Sequence, residues 1–407
     1  MNRTVIIGGG PAGMMAAYSA SMDKGQVILI EKNEKLGKKL YITGKGRCNV
    51  TNDTDLNGFL ENVVTNPKFL YKSLSVLAPN DLMNLLEENG LSLKVERGKR
   101  VFPASDKASD VTKTLERMII ANGVDIRLNT TAESILVENG VVTGVKANNK
   151  IIDCDKVIVC TGGVSYPLTG STGDGYKFAK TFGHNVVTPK PSLVGIELVG
   201  GFFSSVQGLS LKNVKLTAKI GDKIIFSEFG EALFTHFGIS GPIVLSCSSV
   251  INKYNCKEIT LFIDFKPALT GEVLKNRLIR EFQSENRKNL FSVVRSLLPK
   301  NLVEVVLKVA KINGNKNCSE ITIETRDRLV EVLKNFPMKV KGLRPIEEAI
   351  VTAGGVNVKE INPKTMESKL VKGLFFAGEV LDVDAYTGGF NVQIAFSTGY
   401  LAGLNNI

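Results

Sequence analysis

Gly8, Gly10 and Gly13 form the pattern GxGxxG, directly after the apolar run Val5-Ile6-Ile7 and directly before a helical pattern over 14–22. That spacing has a chemistry. Gly8 permits a tight turn, Gly10 lets the backbone approach a pyrophosphate, and Gly13 lets the helix pack close to the strand. The helix start adds free N–H groups and a partial positive charge for the phosphates. Glu31 ends the next apolar run, Val27-Ile28-Leu29-Ile30, where its carboxylate can accept hydrogen bonds from a ribose with free hydroxyls. A glycine turn without a ligand is the alternative; strand, helix and acid together argue against it.

Three more glycine-rich segments follow apolar runs: Thr161-Gly162-Gly163, Gly378-Glu379 and Thr387-Gly388-Gly389. A nicotinamide enzyme needs a catalytic domain after one such unit, whereas FAD is long enough to need several distant backbone segments. Glu379 is placed for the ribityl hydroxyls, with a surface acid at a strand end as the bland alternative. The stretch 37–52 mixes glycine, cations and small polar residues, which suits a loop over a pyrophosphate and an isoalloxazine ring. Gly388, Gly389 and Asn391 precede an uncharged helical run and are expected on the pyrimidine side of the ring, where helix amides complement the charge of the reduced flavin. Gly389→Val is expected to keep the fold and either weaken FAD binding or lower the flavin's reduction potential.

These residues need elements to hold them. The first thirty or so residues read as one βαβ unit. Helices are expected over 81–89, with Leu82, Leu85 and Leu86 on one face, and over 109–122; a hairpin is expected over 135–147, turning at Asn139-Gly140. A buried strand covers 156–160. Past Pro189 and Pro191 the period changes to two: Val214, Leu216, Ala218 and Ile220 face one way, Gly221-Asp222 turns, and Ile259, Leu261, Ile263 and Phe265 repeat the alternation. Leu274, Leu278 and Phe282 then share a helical face, and helical patterns continue over 301–310 and 326–334. After Pro345 a buried strand, Leu374-Phe375-Phe376-Ala377, and a last helix return to the first pattern. The division expected is a first cofactor-domain part at 1–190, an inserted module at 191–340 and a second part at 341–407.

At 407 residues a prior of two to three domains holds, and 43% hydrophobic residues suffice for a sizeable core. Six cysteines without a CxxC pair rule out a disulfide scaffold and a zinc ribbon, and two histidines make a His-rich metal site implausible; no metal is expected. No leader is visible at the start, and the uncharged stretches 232–252 and 385–407 are too polar and glycine-broken to span a bilayer. The chain is therefore expected in the cytoplasm. A net charge of +11 suits anionic ligands without choosing among them, and the cations read as dispersed along the chain.

Cys48 has two readings, a redox thiol beside a flavin or a small packing residue. With no second cysteine nearby, packing is favoured. His236, before a turn and a proline-initiated helix, suits a proton donor or a structural hydrogen bond. Tyr166 and Tyr386 in glycine-rich loops are further donor candidates, with packing on the ring as the alternative. Arg97-Gly98-Lys99-Arg100 reads as a solvated hairpin turn.

Longer motifs carry a resemblance. Gly44-Lys45-Gly46-Arg47-Cys48-Asn49-Val50-Thr51-Asn52, Gly162-Gly163-Val164-Ser165-Tyr166-Pro167, Gly170-Ser171-Thr172-Gly173-Asp174-Gly175 and Phe234-Thr235-His236-Phe237-Gly238-Ile239-Ser240-Gly241-Pro242 resemble the BaiN-like family of FAD-binding oxidoreductases, as do the segments 360–368 and 378–384. The family includes aminoacetone oxidase and a dehydro-bile-acid reductase. The resemblance spans nearly the whole chain. It implies an α/β, Rossmann-like FAD-binding domain of the two-dinucleotide-binding type, interrupted by a β-barrel-like insert with a helical subdomain that serves as substrate or cap domain. Residue reading and resemblance together give these cofactor-binding candidates: Gly8, Gly10, Pro11, Ala12, Gly13, Glu31, Lys32, Lys39, Gly44, Arg47, Cys48, Asn49, Thr51, Asn52, Ala132, Thr161, Gly162, Gly163, Gly378, Glu379, Asp382, Gly388, Gly389, Asn391 and Val392.

The activity expected is a FAD-dependent oxidoreductase that takes hydride from NADH or NADPH and reduces an activated C=C bond of a small organic substrate. With no second GxGxxG, the nicotinamide donor docks transiently. The alternatives are an amine oxidase of aminoacetone-oxidase type that releases hydrogen peroxide and, less favoured, a nucleic-acid-modifying flavoprotein. Neither membrane nor nucleic-acid partners are expected, and the oligomeric state is left open.

Overall fold

The computed structural model describes residues 3–23 and 25–404. β1 (Arg3–Ile7) leads into α1 (Pro11–Ala20) and β2 (Gln26–Ile30). Four of five residues in each of these strands are buried, as a strand covered on both faces requires. The sheet is parallel throughout, in the order Leu374–Phe376, Lys156–Val159, β1, β2, Asp125–Arg127. The first and last thirds of the chain thus share one sheet.

The chain divides into two units: residues up to Ser192 together with those from Pro345 on, and Leu193–Arg344. In the first unit the C-terminal helix Phe390–Leu404 lies against α1. Glycine makes the close approach possible: a Cβ on Gly399 would stand 2.2 Å from the Ala12 carbonyl oxygen, and one on Gly403 would stand 1.9 Å from Ser19 Oγ. The expected hairpin is a three-stranded antiparallel sheet, Ala132–Glu138, Val141–Ala147 and Lys150–Asp153. Its first turn has positive φ at both Asn139 and Gly140, the signature of a type I′ turn. The helix expected over 81–89 begins earlier, at Pro79, because Asp81 Oδ2 accepts the Ala78 N–H at 2.9 Å and fixes the start. Val186–Ser192 pairs antiparallel with Val351–Val356, a pairing masked in the sequence by two prolines and two glycines.

The second unit is a closed six-stranded barrel in the order Ile196–Leu198, Gly238–Ser240, Lys223–Thr235, Ser210–Ile220, Ile259–Asp264, Phe336–Leu343. The period-two residues Val214, Leu216, Ala218, Ile259, Leu261 and Ile263 are all buried in its core. The helix Pro242–Ile251 packs on the barrel, and Gly271–Ser284, Lys300–Val309 and Ile323–Lys334 form the helical part. Among the described residues no helix is long and apolar enough to cross a membrane.

Candidate functional site

The turn after β1 is built as its glycines require. A Cβ on Gly13 would stand 1.8 Å from the Gly8 carbonyl oxygen, so α1 can start where it does only with glycine there. A Cβ on Gly10 would meet nothing within 4 Å. Gly10 caps α1 and Pro11 fills its first turn, which leaves a glycine-lined helix start open in front. Glu31 is brought to this loop: its Oε2 accepts the Gly9 N–H at 2.7 Å, while Oε1 accepts the backbone N–H and the amide of Asn33 at 2.8 and 2.6 Å. The carboxylate is 9% exposed.

A second cluster forms where the late strand meets the first. A Cβ on Gly378 would stand 2.8 Å from Ala12 Cβ, so the two glycine turns abut. The Glu379 carboxylate meets Lys39 Nζ at 2.7 Å, Ser165 Oγ at 3.1 Å and the Thr352 N–H at 2.8 Å. A Cβ on Gly162 would lie 3.9 Å from Glu379 Oε2, and one on Gly163 would overlap the Thr352 hydroxyl at 2.4 Å. Thr161 Oγ1 accepts the Gly175 N–H at 3.1 Å. Sequence reasoning does not single out Ser165 or Thr352. Ser165 lies within Gly162-Gly163-Val164-Ser165-Tyr166-Pro167, but nothing before the fold itself ties Thr352 to residues almost two hundred positions earlier.

A third cluster joins the 44–52 loop to the C-terminal helix. Asn52 Nδ2 donates to the Gly388 carbonyl at 3.1 Å, and a Cβ on Gly389 would lie 2.3 Å from the Thr51 carbonyl oxygen. A valine at 389 therefore overlaps backbone, at a φ of +99°, and the expectation that Gly389→Val keeps the fold is corrected. Asn49 is 9% exposed, and its Oδ1 is a buried acceptor without a partner. Gly44 adjoins it: a Cβ there would be 3.0 Å from the Asn49 nitrogen.

Other candidates face elsewhere with their side chains. Arg47 bonds Asp106 at 2.7 Å and Glu96 at 2.5 Å and lies 4.0 Å over the Phe102 ring, so its guanidinium closes a surface network with the hairpin at 93–103. The Asn391 amide clamps its own loop, accepting the Ala385 N–H at 2.9 Å and donating to the Ala385 carbonyl at 2.8 Å, which leaves the backbone rather than the side chain to face a ligand. Val392 is half-buried in the same first turn. The Asp382 carbonyl and carboxylate both accept from Asn66 Nδ2. Lys32 bonds Thr172 and Asp174 at 2.6 and 2.7 Å. Asp174 and Ala132 line one cavity of about 240 Å³ together with Lys177 and Phe178.

Cys48 is fully buried, and burial pushes its thiol up to about 12, which favours the packing reading over a redox thiol. Burial raises the Tyr166 hydroxyl as well, with Glu348 adding to it. Tyr386 is half-buried, its backbone N–H bonded to the Asn62 carbonyl at 2.9 Å. His236 belongs to the second unit, where it is exposed in the two-residue turn before Gly238, its ring edge-on to Phe237 at 5.1 Å. Among the described residues no group of three or more His, Cys, Asp or Glu side chains is placed to hold a metal.

The residues fit a flavin dinucleotide. The helix start at Gly10 suits the pyrophosphate. Glu31 and Glu379 suit hydroxyl groups, and Asn49 Oδ1 is a buried acceptor that would suit an N–H of the ring.

Comparison with known proteins bears on this fit. The model of the HI0933-like protein Rossmann domain matches residues 2–405. A 3-dehydro-bile acid delta(4,6)-reductase of Clostridium scindens is 31% identical over 99% of this chain and 98% of its own. A ribosomal RNA dihydrouridine synthase of Haemophilus influenzae is 31% identical over 99% and 98%. Among solved structures, the open conformation of a flavocytochrome c3 fumarate reductase superposes with a TM-score of 0.52 at 18% identity, covering 100% of this chain and 78% of that one, a likeness of fold.

Proposed function

This chain belongs to the HI0933-like family and is a FAD-dependent oxidoreductase, and from that premise we propose that it saturates an electron-poor C=C bond conjugated to a carbonyl, with NADH or NADPH as hydride source. The observation that carries the reading is the meeting, in one unit, of the open helix start at Gly10, the buried Glu31 and the Lys39-bridged Glu379. When bound, FAD supplies a two-electron carrier between the nicotinamide and the substrate carbon. The chain's residues do the rest. Amides at the start of α1 and the Gly162-Gly163 backbone would hold phosphates. Glu31 and Glu379 would accept hydroxyl hydrogens. Thr51, Asn52, Gly388 and Gly389 would offer their backbone to the ring. Reduction adds a hydride to one alkene carbon and a proton to the other, and Tyr166 and Tyr386 are the candidate donors within the same unit. The bond type comes from the Clostridium scindens relative, whose name is that of a delta(4,6)-reductase of a 3-dehydro-bile acid.

A second reading differs in the substrate: a uracil base within RNA instead of a free small molecule. The Haemophilus influenzae relative's name and the net charge of +11 favour it. Six cysteines without a disulfide suit a reducing compartment, in keeping with a cytoplasmic enzyme.

Anaerobic titration tests the reading. NADH or NADPH should bleach the flavin band, and a conjugated 3-keto steroid or a uridine oligonucleotide should restore it. Bleaching by small amines, with restoration by oxygen alone, would instead establish the oxidase.

A further inference from the structure

The excess positive charge is not dispersed. Leu193–Arg344 holds 23 lysines and arginines against 14 aspartates and glutamates, a net +9, while the larger unit holds 28 against 26. The flavin-site unit is therefore close to neutral, and the inserted unit carries nearly all of the +11.

Within the helical part of the insert, three cations are already matched: Lys275 with Asp327, Arg277 with Glu281 and, in the turn after the helix Gly271–Ser284, Lys288 with Glu285. The outer face of the barrel differs. Strand alternation sends Lys215, Thr217 and Lys219 outward, opposite to Leu216 and Ala218 in the core. In register, Lys215 stands between Phe229 and Asp264, Thr217 stands between Ser227 and Phe262, and Lys219 stands between Ile224 and Thr260, which in turn faces Lys339. Phe229 is 59% exposed and Ile224 57%. Lys219 Nζ lies 5.0 Å over the Phe262 ring. Lys215, Lys219 and Lys339 take part in no ion pair among the described residues. The nearby acids are occupied or peripheral: Asp264 pairs with Lys334, Glu197 with Lys341 and Arg344, and Glu231 lies towards the end of its strand.

We propose that this four-strand outer face of the barrel, with unpaired lysines around the exposed ring of Phe229, is a docking surface for single-stranded RNA. It rests on the RNA reading of the substrate. Lysines neutralise phosphates, and Phe229 offers a stacking platform to an unpaired base. The exposed Phe229 ring favours a nucleic acid over a plain polyanion, which has no base to stack.

The test uses the full-length holoprotein, a fluorescein-labelled oligouridine and fluorescence anisotropy across a salt series. The wild type should bind with a steep salt slope. Lys215→Gln with Lys219→Gln should weaken binding about tenfold and flatten the slope by roughly 1.4, two single-strand contacts. Phe229→Ala should weaken oligouridine binding several-fold and leave heparin binding unchanged. All three positions are on the outer face, and an unchanged flavin spectrum and melting temperature serve as the fold control. A wild type that ignores oligouridine removes the RNA reading and this surface together. Tight wild-type binding that the lysine variants retain overturns the surface alone. Equal loss of heparin binding in Phe229→Ala, or preference for anionic vesicles over oligouridine, also overturns it.

Discussion

The ammonium of Lys39 lies 2.7 Å from the carboxylate of Glu379, a residue 340 positions further along the chain. Both side chains are about one-fifth exposed, so the pair is well shielded. Ser165 and the Thr352 N–H complete the shell around the carboxylate. Lys39→Met removes the ammonium's charge-assisted bonds to Glu379 and to Ser165 Oγ, each worth about 1.5–3 kcal/mol, and leaves Glu379 uncompensated. FAD affinity is expected to fall about tenfold or more, read as flavin release on dilution. Lys39→Arg should restore part of it. Wild-type affinity in the Met variant would place Glu379 away from the cofactor.

Two glycine substitutions should separate binding from folding. Gly10→Val adds a side chain where a Cβ meets nothing within 4 Å, so the protein should fold and lose its visible flavin absorbance. Gly389→Val drives a side chain into the Thr51 backbone at positive φ and is expected to cost roughly 3 kcal/mol or more. Its melting temperature should drop even against the apo-protein of the Gly10 variant. If Gly389→Val melts like the wild type, the packing of the Thr51 loop on the C-terminal helix is wrong.

The pattern of legibility follows from the range of the interactions. The βαβ start, the Asn139-Gly140 turn and the alternating barrel strands announce themselves because each rests on local steric rules or on a face that must be buried. Gly13 could be read because its role is set five residues away, at Gly8. Arg47 and Asn391 could not: a cation in a glycine-rich loop looks like a phosphate ligand until the hairpin bearing Glu96 appears beside it. Thr352 was silent for the same reason. It precedes Gly354-Gly355 and reads as loop, yet its hydroxyl accepts the Val164 and Ser165 N–H groups at 3.0 and 3.1 Å.

Acid should act on the fold through His184. Ser368 Oγ accepts the N–H groups of Leu370 and Val371, so its own proton goes to His184 Nε2 at 2.8 Å, and Nδ1 carries the ring proton towards Glu360 at 3.1 Å. Burial lowers the His184 pKa below its ordinary 6.5, although Glu360 pulls the other way. The unfolded chain therefore binds the proton more readily. The contribution is complete above about 6.5 and is lost as pH falls from there towards the folded value. Thermal melts between pH 7.5 and 5.5 should show the wild type losing more stability than His184→Gln. Parallel slopes would refute the neutral ring.

Cys48 offers the sharpest separation between packing and chemistry. The thiol is fully buried with its pKa at about 12, so almost no thiolate exists at neutral pH. It should resist an aromatic disulfide reagent in the native protein and react only after unfolding. Cys48→Ala loses packing worth about 1 kcal/mol and should keep turnover within about twofold. Cys48→Ser, nearly the same shape, should be less stable than Cys48→Ala because its hydroxyl is forced into an apolar site. A redox role makes the opposite forecast: both variants fold like the wild type and neither turns over. Turnover and melting temperature measured on the same two preparations therefore decide which role the sulfur has.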